Sequence, residues 1–190
     1  GGLLIVNDKN FLKKINLIYE KGTNRNDFNN GIVDKYTWYE LGSSFAISGI
    51  TLAYLNSQLI NFDKIVNKRQ EIWYKYYNLL NNKNIKSKFK LQNKENHNFH
   101  MFYIIGLNLI YTNDIINLLK NKGILCAKHY ITLHDSPYIK KYENINEYNI
   151  TDMKNSKNYE NNLIRLPLYY DLNNENIDLI SNIINEYCNN

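Results

Sequence analysis

The sequence predicts a mixed α/β protein, and three observations predict it. Apolar residues recur at helical spacing through much of the first 80 residues. Beyond residue 95, short apolar runs of strand length alternate with helical stripes. Gly and polar turn residues punctuate the two patterns. The 190 residues are 44% hydrophobic, too many for a disordered chain. No apolar run approaches the ~20 residues that span a bilayer, so no membrane segment is expected. Two Cys exclude a disulfide scaffold and fit a reducing cytoplasm. Two Pro and eight Gly exclude collagen-like and Pro-rich classes.

The elements follow in order. Gly1 to Asp8 reads as a buried strand at residues 3–6, entered in mid-course and ending at a polar turn. The chain is therefore expected to be a piece of a longer protein, and no signal peptide is expected. Phe11, Leu12, Ile15, Ile18 and Tyr19 form one stripe of a helix that Lys21-Gly22 stops. Residues 22–47 have little periodicity and hold a dense polar and aromatic set, as functional loops do. Ser48 is placed to cap a helix carrying Leu52, Leu55 and Leu59. From Asn61 to Leu80 the stripe Phe62, Ile65, Val66, Arg69, Ile72, Trp73, Tyr76, Tyr77 predicts a long helix. Residues 83–94 read as a loop or frayed helix end. Phe99–Leu107 predicts a strand, and Thr112 is expected to cap a short helix stopped by Lys122-Gly123. Ile124–Ala127 and Leu163–Leu166 predict two further strands, with a weak helix at 151–162 between them. Asn173 or Asn174 caps a last helix with Ile177, Ile180, Ile184 and Tyr187.

Asn accounts for 35 residues. They are spread among periodic apolar positions, which fits codon bias and not a prion-like tract. The net charge of +5 is likewise dispersed. Nucleic-acid binding wants a clustered basic stripe, so no nucleic-acid partner is expected. His97, His100, His129 and His134 match no zinc spacing and Cys126 stands alone, so no metal is expected.

Three segments carry a resemblance. The first runs Glu20-Lys21-Gly22-Thr23-Asn24-Arg25, then Val33-Asp34-Lys35-Tyr36-Thr37-Trp38 and Gly42-Ser43-Ser44-Phe45. The second is His97 to Ile104. The third is His129-Tyr130-Ile131-Thr132-Leu133-His134, with Ile164-Arg165-Leu166-Pro167-Leu168-Tyr169-Tyr170 further on. In order and spacing the chain resembles the pyridoxal-phosphate sugar-nucleotide aminotransferases of the DegT/DnrJ/StrS type, and among them the dTDP-4-amino-4,6-dideoxygalactose transaminases. The resemblance implies the C-terminal part of a fold-type I transferase. Residues 1–60 would end the large cofactor-binding domain, residues 61–84 would be a linker helix, and residues 85–190 would form a small α/β domain.

The resemblance also implies chemistry. The cofactor would be pyridoxal 5'-phosphate, and a homodimer would move an amino group from an amino acid, glutamate by preference, to a 4-keto-6-deoxy sugar of a dTDP-sugar. The lysine that holds the cofactor would lie a few residues before Gly1-Gly2, so this chain alone is expected to carry no catalytic residue and to be inactive. Ser44 takes the place where relatives commonly have an Asn reaching the cofactor phosphate of the neighbouring subunit, and Ser43 shares its loop. A turn Ser before a helix is the plainer reading of Ser44. Thr23, Asn24 and Arg25 are candidates for the sugar diphosphate or the donor carboxylate, Arg25 through its planar fork. Arg25 paired with Asp27 or Asp34 is the structural alternative. Tyr36 and Trp38 are candidates for a sugar or base pocket, or core aromatics. Tyr130 and His134 are candidates for hydrogen bonds to diphosphate or hexose, His134 otherwise being structural. His100 is expected to be structural and Arg165 to anchor its strand. Two other classes stay open at this point: a non-catalytic remnant or split-gene half that dimerises or binds nucleotide sugar, and a small basic nucleic-acid-binding domain.

Overall fold

The computed structural model describes residues 2–141 and 153–189. The chain divides into two units, Gly1–Ile60 and Asn61–Asn190.

The first unit holds three helices: α1 (Leu12–Tyr19), α2 (Arg25–Asn29) and α3 (Gly49–Ile60). A 3-10 turn at Lys9–Phe11 leads into α1, with Asp8 accepting from the Asn10 amide at 2.9 Å. Lys21 and Gly22 both adopt left-handed backbone, at φ 61° and 76°, and stop the helix as expected. Ser48 caps α3 by accepting from the Thr51 amide at 3.2 Å. The strand expected at residues 3–6 does not form, and Leu3, Leu4 and Ile5 are exposed. A strand needs a neighbour for its backbone groups, and none of the described strands pairs with this segment. Among the described residues of this unit only Gly22 and Asn24 are buried.

The second unit builds its core from a four-stranded sheet in the order β1 (Phe89–Leu91), β2 (Phe102–Gly106), β4 (Leu163–Leu166), β3 (Ala127–Lys128). All its pairings are antiparallel. Phe102 stands opposite Leu166 and Ile104 opposite Ile164, so the alternation of a strand puts these four on one face. Against that core pack α4 (Phe62–Leu80), α6 (Leu109–Asn121) and α9 (Asn174–Asn189), through Ile72, Trp73, Tyr76, Ile115, Leu119, Ile177 and Ile184. The expected linker helix, α4, is thus part of the core of this unit. Lys75 on α4 reaches Asp178 on α9 at 2.8 Å. Arg69 holds the approach to β2 by donating from Nε to the Phe99 carbonyl at 3.1 Å and from Nη2 to the His100 carbonyl.

Three details differ from the sequence reading. Residues 83–94 contain a helix, α5 (Lys83–Lys88), and the edge strand β1. Ile85 and Phe89 are fully buried there, and the lysines between them hid that pattern. Helix α6 starts a turn earlier than expected, because Asn108 accepts from the Tyr111 amide at 2.9 Å. Thr112 is instead buried inside the helix, where Gly106 lets it approach: a Cβ at Gly106 would lie 2.2 Å from the Thr112 Oγ1. β3 spans two residues and begins at the end of the segment expected. Two further short helices are described in this unit, α7 (Pro137–Lys141) and α8 (Lys154–Asn162), α8 covering the described part of the helix expected at 151–162. Residues 151 and 152 of that expected helix lie outside the described ones.

Candidate functional site

The sequence-derived candidates fall into two groups, one in each unit. In the first unit they lie on the loop between α1 and α3. Two bridges fasten that loop, Glu20 to Ser44 and Thr23 to Trp38. Gly22 is their pivot: its carbonyl accepts from the Tyr39 amide at 2.8 Å and the Glu40 amide at 3.0 Å. A Cβ at Gly22 would fall 1.6 Å from the Glu40 carbonyl oxygen, so only glycine fits.

Within this frame Thr23 and Asn24 are occupied. The Thr23 hydroxyl donates to the Glu20 carbonyl at 2.7 Å, and the Asn24 side-chain carbonyl accepts from the Thr37 amide at 2.7 Å. The recess beside them is about 30 Å³, the share of one water. Arg25, Tyr36 and Trp38 face solvent. Arg25 enters no ion pair among the described residues, neither with Asp27 nor with Asp34. Its guanidinium lies 6.0 Å from the centre of the Tyr36 ring, whose edge-on neighbour is Phe28 at 5.6 Å. Trp38 is 72% exposed and fixed by its indole N–H, which donates to the Glu40 carbonyl at 2.5 Å.

Ser43 and Ser44 sit on the returning arm. The Ser43 amide donates to the Ile18 carbonyl and its carbonyl accepts from the Lys21 amide, both at 3.1 Å. The backbone is thus held while both side chains remain exposed. Neither hydroxyl has a hydrogen-bond partner among the described residues.

In the second unit Tyr130 and His134 line a cleft of about 750 Å³ with His129, Leu133, Ile139 and Tyr159. That volume is in the range of small-molecule sites. Tyr130 is 77% exposed and His134 is half-buried. One wall is held by a polar network that residue spacing did not reveal. Glu160 on α8 accepts from the Thr132 amide at 3.1 Å and from the Thr132 hydroxyl at 2.7 Å. Lys157 joins Glu160 at 2.9 Å to Asp135 at 2.5 Å, and Lys140 lies 3.3 Å from Asp135. His134 approaches Asp135 at 3.8 Å. The hydrogen bond from Lys157 holds the Asp135 carboxyl down at about 2. Those from Thr132 and Lys157 hold Glu160 down at about 2. The one sequence signal for this network was Lys157 and Glu160 on the same helix face, with partners more than twenty residues away.

The remaining histidines differ in setting. His97 lies 4.8 Å from the buried Trp73 ring in an aromatic cluster with Phe99 and Tyr77. His129 titrates below its usual range, because of burial first and the charges of Arg165 and His100 after it. Among the described residues no cluster of His, Cys, Asp or Glu is placed to hold a metal ion, and no helix is long and apolar enough to cross a membrane.

The fold is similar to that of several solved aminotransferases. PseC of Helicobacter pylori, an aminotransferase involved in the biosynthesis of pseudoaminic acid, superposes with a TM-score of 0.77 at 20% identity, over 97% of this chain and 47% of its own. The putative sugar aminotransferase Spr1654 of Streptococcus pneumoniae, in its pyridoxal-phosphate form, gives 0.73 at 18% identity over 97% and 45%. DesV of S. venezuelae, in complex with a ketimine intermediate, gives 0.78 at 14% identity over 98% and 46%. The chain spans a little under half the length of these structures.

The sequence model of the DegT/DnrJ/EryC1/StrS aminotransferase family matches residues 1–185, and the chain belongs to that family. Aminotransferases of this family use pyridoxal phosphate. Among the side chains of this protein, the Ser43 and Ser44 hydroxyls suit the phosphate end of that cofactor, being exposed donors on a fixed backbone.

Proposed function

We propose that this chain is the C-terminal part of a homodimeric, cytoplasmic aminotransferase of surface-polysaccharide synthesis. It moves an amino group from glutamate to the 4-keto-6-deoxy sugar of a dTDP-sugar, as a dTDP-4-amino-4,6-dideoxygalactose transaminase does. The supporting observation is the loop of residues 22–44, whose backbone is fastened while Arg25, Tyr36, Trp38, Ser43 and Ser44 face outward.

Each side chain has a task it can perform as placed. Ser44, with Ser43 beside it, donates a hydroxyl hydrogen bond to a phosphate oxygen of the cofactor bound to the partner subunit. The Arg25 guanidinium offers two parallel N–H donors to a diphosphate or carboxylate. Tyr36 and Trp38 offer flat faces to a base or hexose. Thr23 and Asn24 shape the loop that presents them. In the second unit Tyr130 and His134 supply hydrogen bonds to hexose or diphosphate from the wall that Glu160 and Lys157 brace. The bound cofactor supplies the electron sink that lets a proton leave the carbon bearing the amine.

The experiment is the donor half-reaction in the full-length protein. Glutamate added to the cofactor-loaded enzyme should change its visible absorbance, and 2-oxoglutarate should reverse the change. A spectrum indifferent to glutamate and to other amino acids removes the transaminase reading.

A further inference from the structure

Arg165 occupies the middle strand position of β4, between Tyr103 on β2 and Ala127 on β3 in register. Strand alternation places this row on the face opposite Phe102, Ile104, Ile164 and Leu166. A cation in the middle of a sheet ordinarily has an acidic partner. Arg165 enters no ion pair among the described residues, and its buried Nε has no hydrogen-bond partner. The carboxylates of Asp135 and Glu160 are committed to Lys157, Lys140 and Thr132.

A second group able to carry positive charge lies at the same place. Arg165 and His100 line a recess of about 210 Å³, with Met101, Leu125, Ala127 and Leu168. His129 lies just beyond β3 and lines the larger cleft with Tyr130 and His134. Burial first, and the charges of Arg165 and His100 after it, disfavour protonation of its imidazole. Arg165 and His100 thus share this recess without a described counter-charge, and their charges reach His129. The recess is smaller than a drug-sized site, so it suits a small oxyanion and the few carbons attached to it rather than a whole nucleotide sugar.

We propose that Arg165, with His100, forms an oxyanion subsite on this face of the sheet. Its ligand is a carboxylate of the amino donor or a phosphoryl group of the nucleotide sugar. The planar guanidinium reads either anion through paired N–H donors, and the His100 imidazole adds a donor when the anion draws a proton onto it. Leu125, Met101 and Leu168 give the recess an apolar rim for the carbon chain of the ligand. The inference rests on the proposed amino transfer for the identity of the ligands. The subsite itself does not depend on it.

The test uses the full-length protein and two unreactive probes, glutarate and inorganic phosphate. Each is titrated at matched ionic strength, and its dissociation constant is read from the rise in unfolding midpoint with concentration. At least one probe should bind, and Arg165→Gln should weaken it by about tenfold or more, as expected for a charge-assisted hydrogen-bond pair. Should Arg165→Gln fail to fold, the variant His100→Gln, which changes only an exposed ring, should weaken the same probe severalfold. Binding of glutarate with a raised KM for the amino donor identifies the carboxylate. Binding of phosphate with a raised KM for the sugar nucleotide identifies the phosphoryl group. A protein that binds neither probe, or binds them equally well in the variants, overturns the subsite and leaves Arg165 as a strand anchor. The wild-type donor half-reaction reports separately on the proposed function.

Discussion

Asn24 places its side-chain carbonyl 2.7 Å from the Thr37 amide, while Ser44 leaves its hydroxyl exposed on the same loop. The two residues therefore fail differently when truncated. Asn24→Ala leaves the Thr37 amide to water and should cost about 0.5–1.5 kcal/mol, read in the full-length protein as a lower unfolding midpoint. Ser44→Ala removes nothing from the described fold, so stability should stay put. In the full-length enzyme it should instead weaken cofactor retention by roughly 0.5–1.5 kcal/mol, one neutral hydrogen bond. Equilibrium dialysis of the cofactor checks this, and unchanged affinity takes Ser44 out of the site. That Thr23, Asn24 and Arg25 mattered was legible in the sequence as a polar cluster after a helix stop. That Asn24 points back at Thr37 while Arg25 points at Tyr36 was not, because only the folded loop brings residues 24 and 37 together.

Helix α8 and the segment from His129 to Asp135 are joined by the Glu160, Thr132, Lys157 and Asp135 network. Both carboxyls titrate at about 2, below the ordinary values near 4 of an unfolded chain. A depressed carboxyl stabilises the fold above its unfolded value and ceases to do so as pH falls through its folded value. The clamp should therefore be intact above about pH 4 and open as pH falls toward 2. Hydrogen exchange at the Thr132 amide measures this: protection steady from pH 7 to 4 and lost below 3, after correction for intrinsic exchange. Protection lost already at pH 5 contradicts it. Periodicity made α4 and α9 legible, since each buries one regular face, and short apolar runs made β2 and β4 legible, since both bury consecutive residues. It failed at β1, where lysines flank Phe89, and at residues 3–6, where an apolar run lacks a described partner strand. Caps were legible at Ser48 and Asn173, but at α6 the signal of Thr112 outweighed that of Asn108.

At the scale of the whole chain the two units differ in kind. Residues 61–190 bury Trp73, Tyr76, Phe102 and a full set of aliphatic side chains. The described part of residues 1–60 buries no apolar side chain, and Ile50 on α3 is 86% exposed. Burial of apolar area is the main driving force of folding. Residues 61–190 expressed alone should thus unfold cooperatively on heating, whereas residues 1–60 alone should show no thermal transition by circular dichroism. A cooperative transition in the shorter piece contradicts this division. The central claim is that the protein containing this chain aminates a keto sugar nucleotide. The most direct measurement supplies the full-length protein with pyridoxal phosphate, glutamate carrying an isotopically labelled amino nitrogen, and a dTDP-4-keto-6-deoxyhexose, then follows the sugar by mass spectrometry. The account predicts a dTDP-amino sugar bearing the label, formed only with the cofactor present. Recovery of unchanged keto sugar from a folded, cofactor-loaded enzyme, with every nucleotide and keto sugar offered, would contradict it.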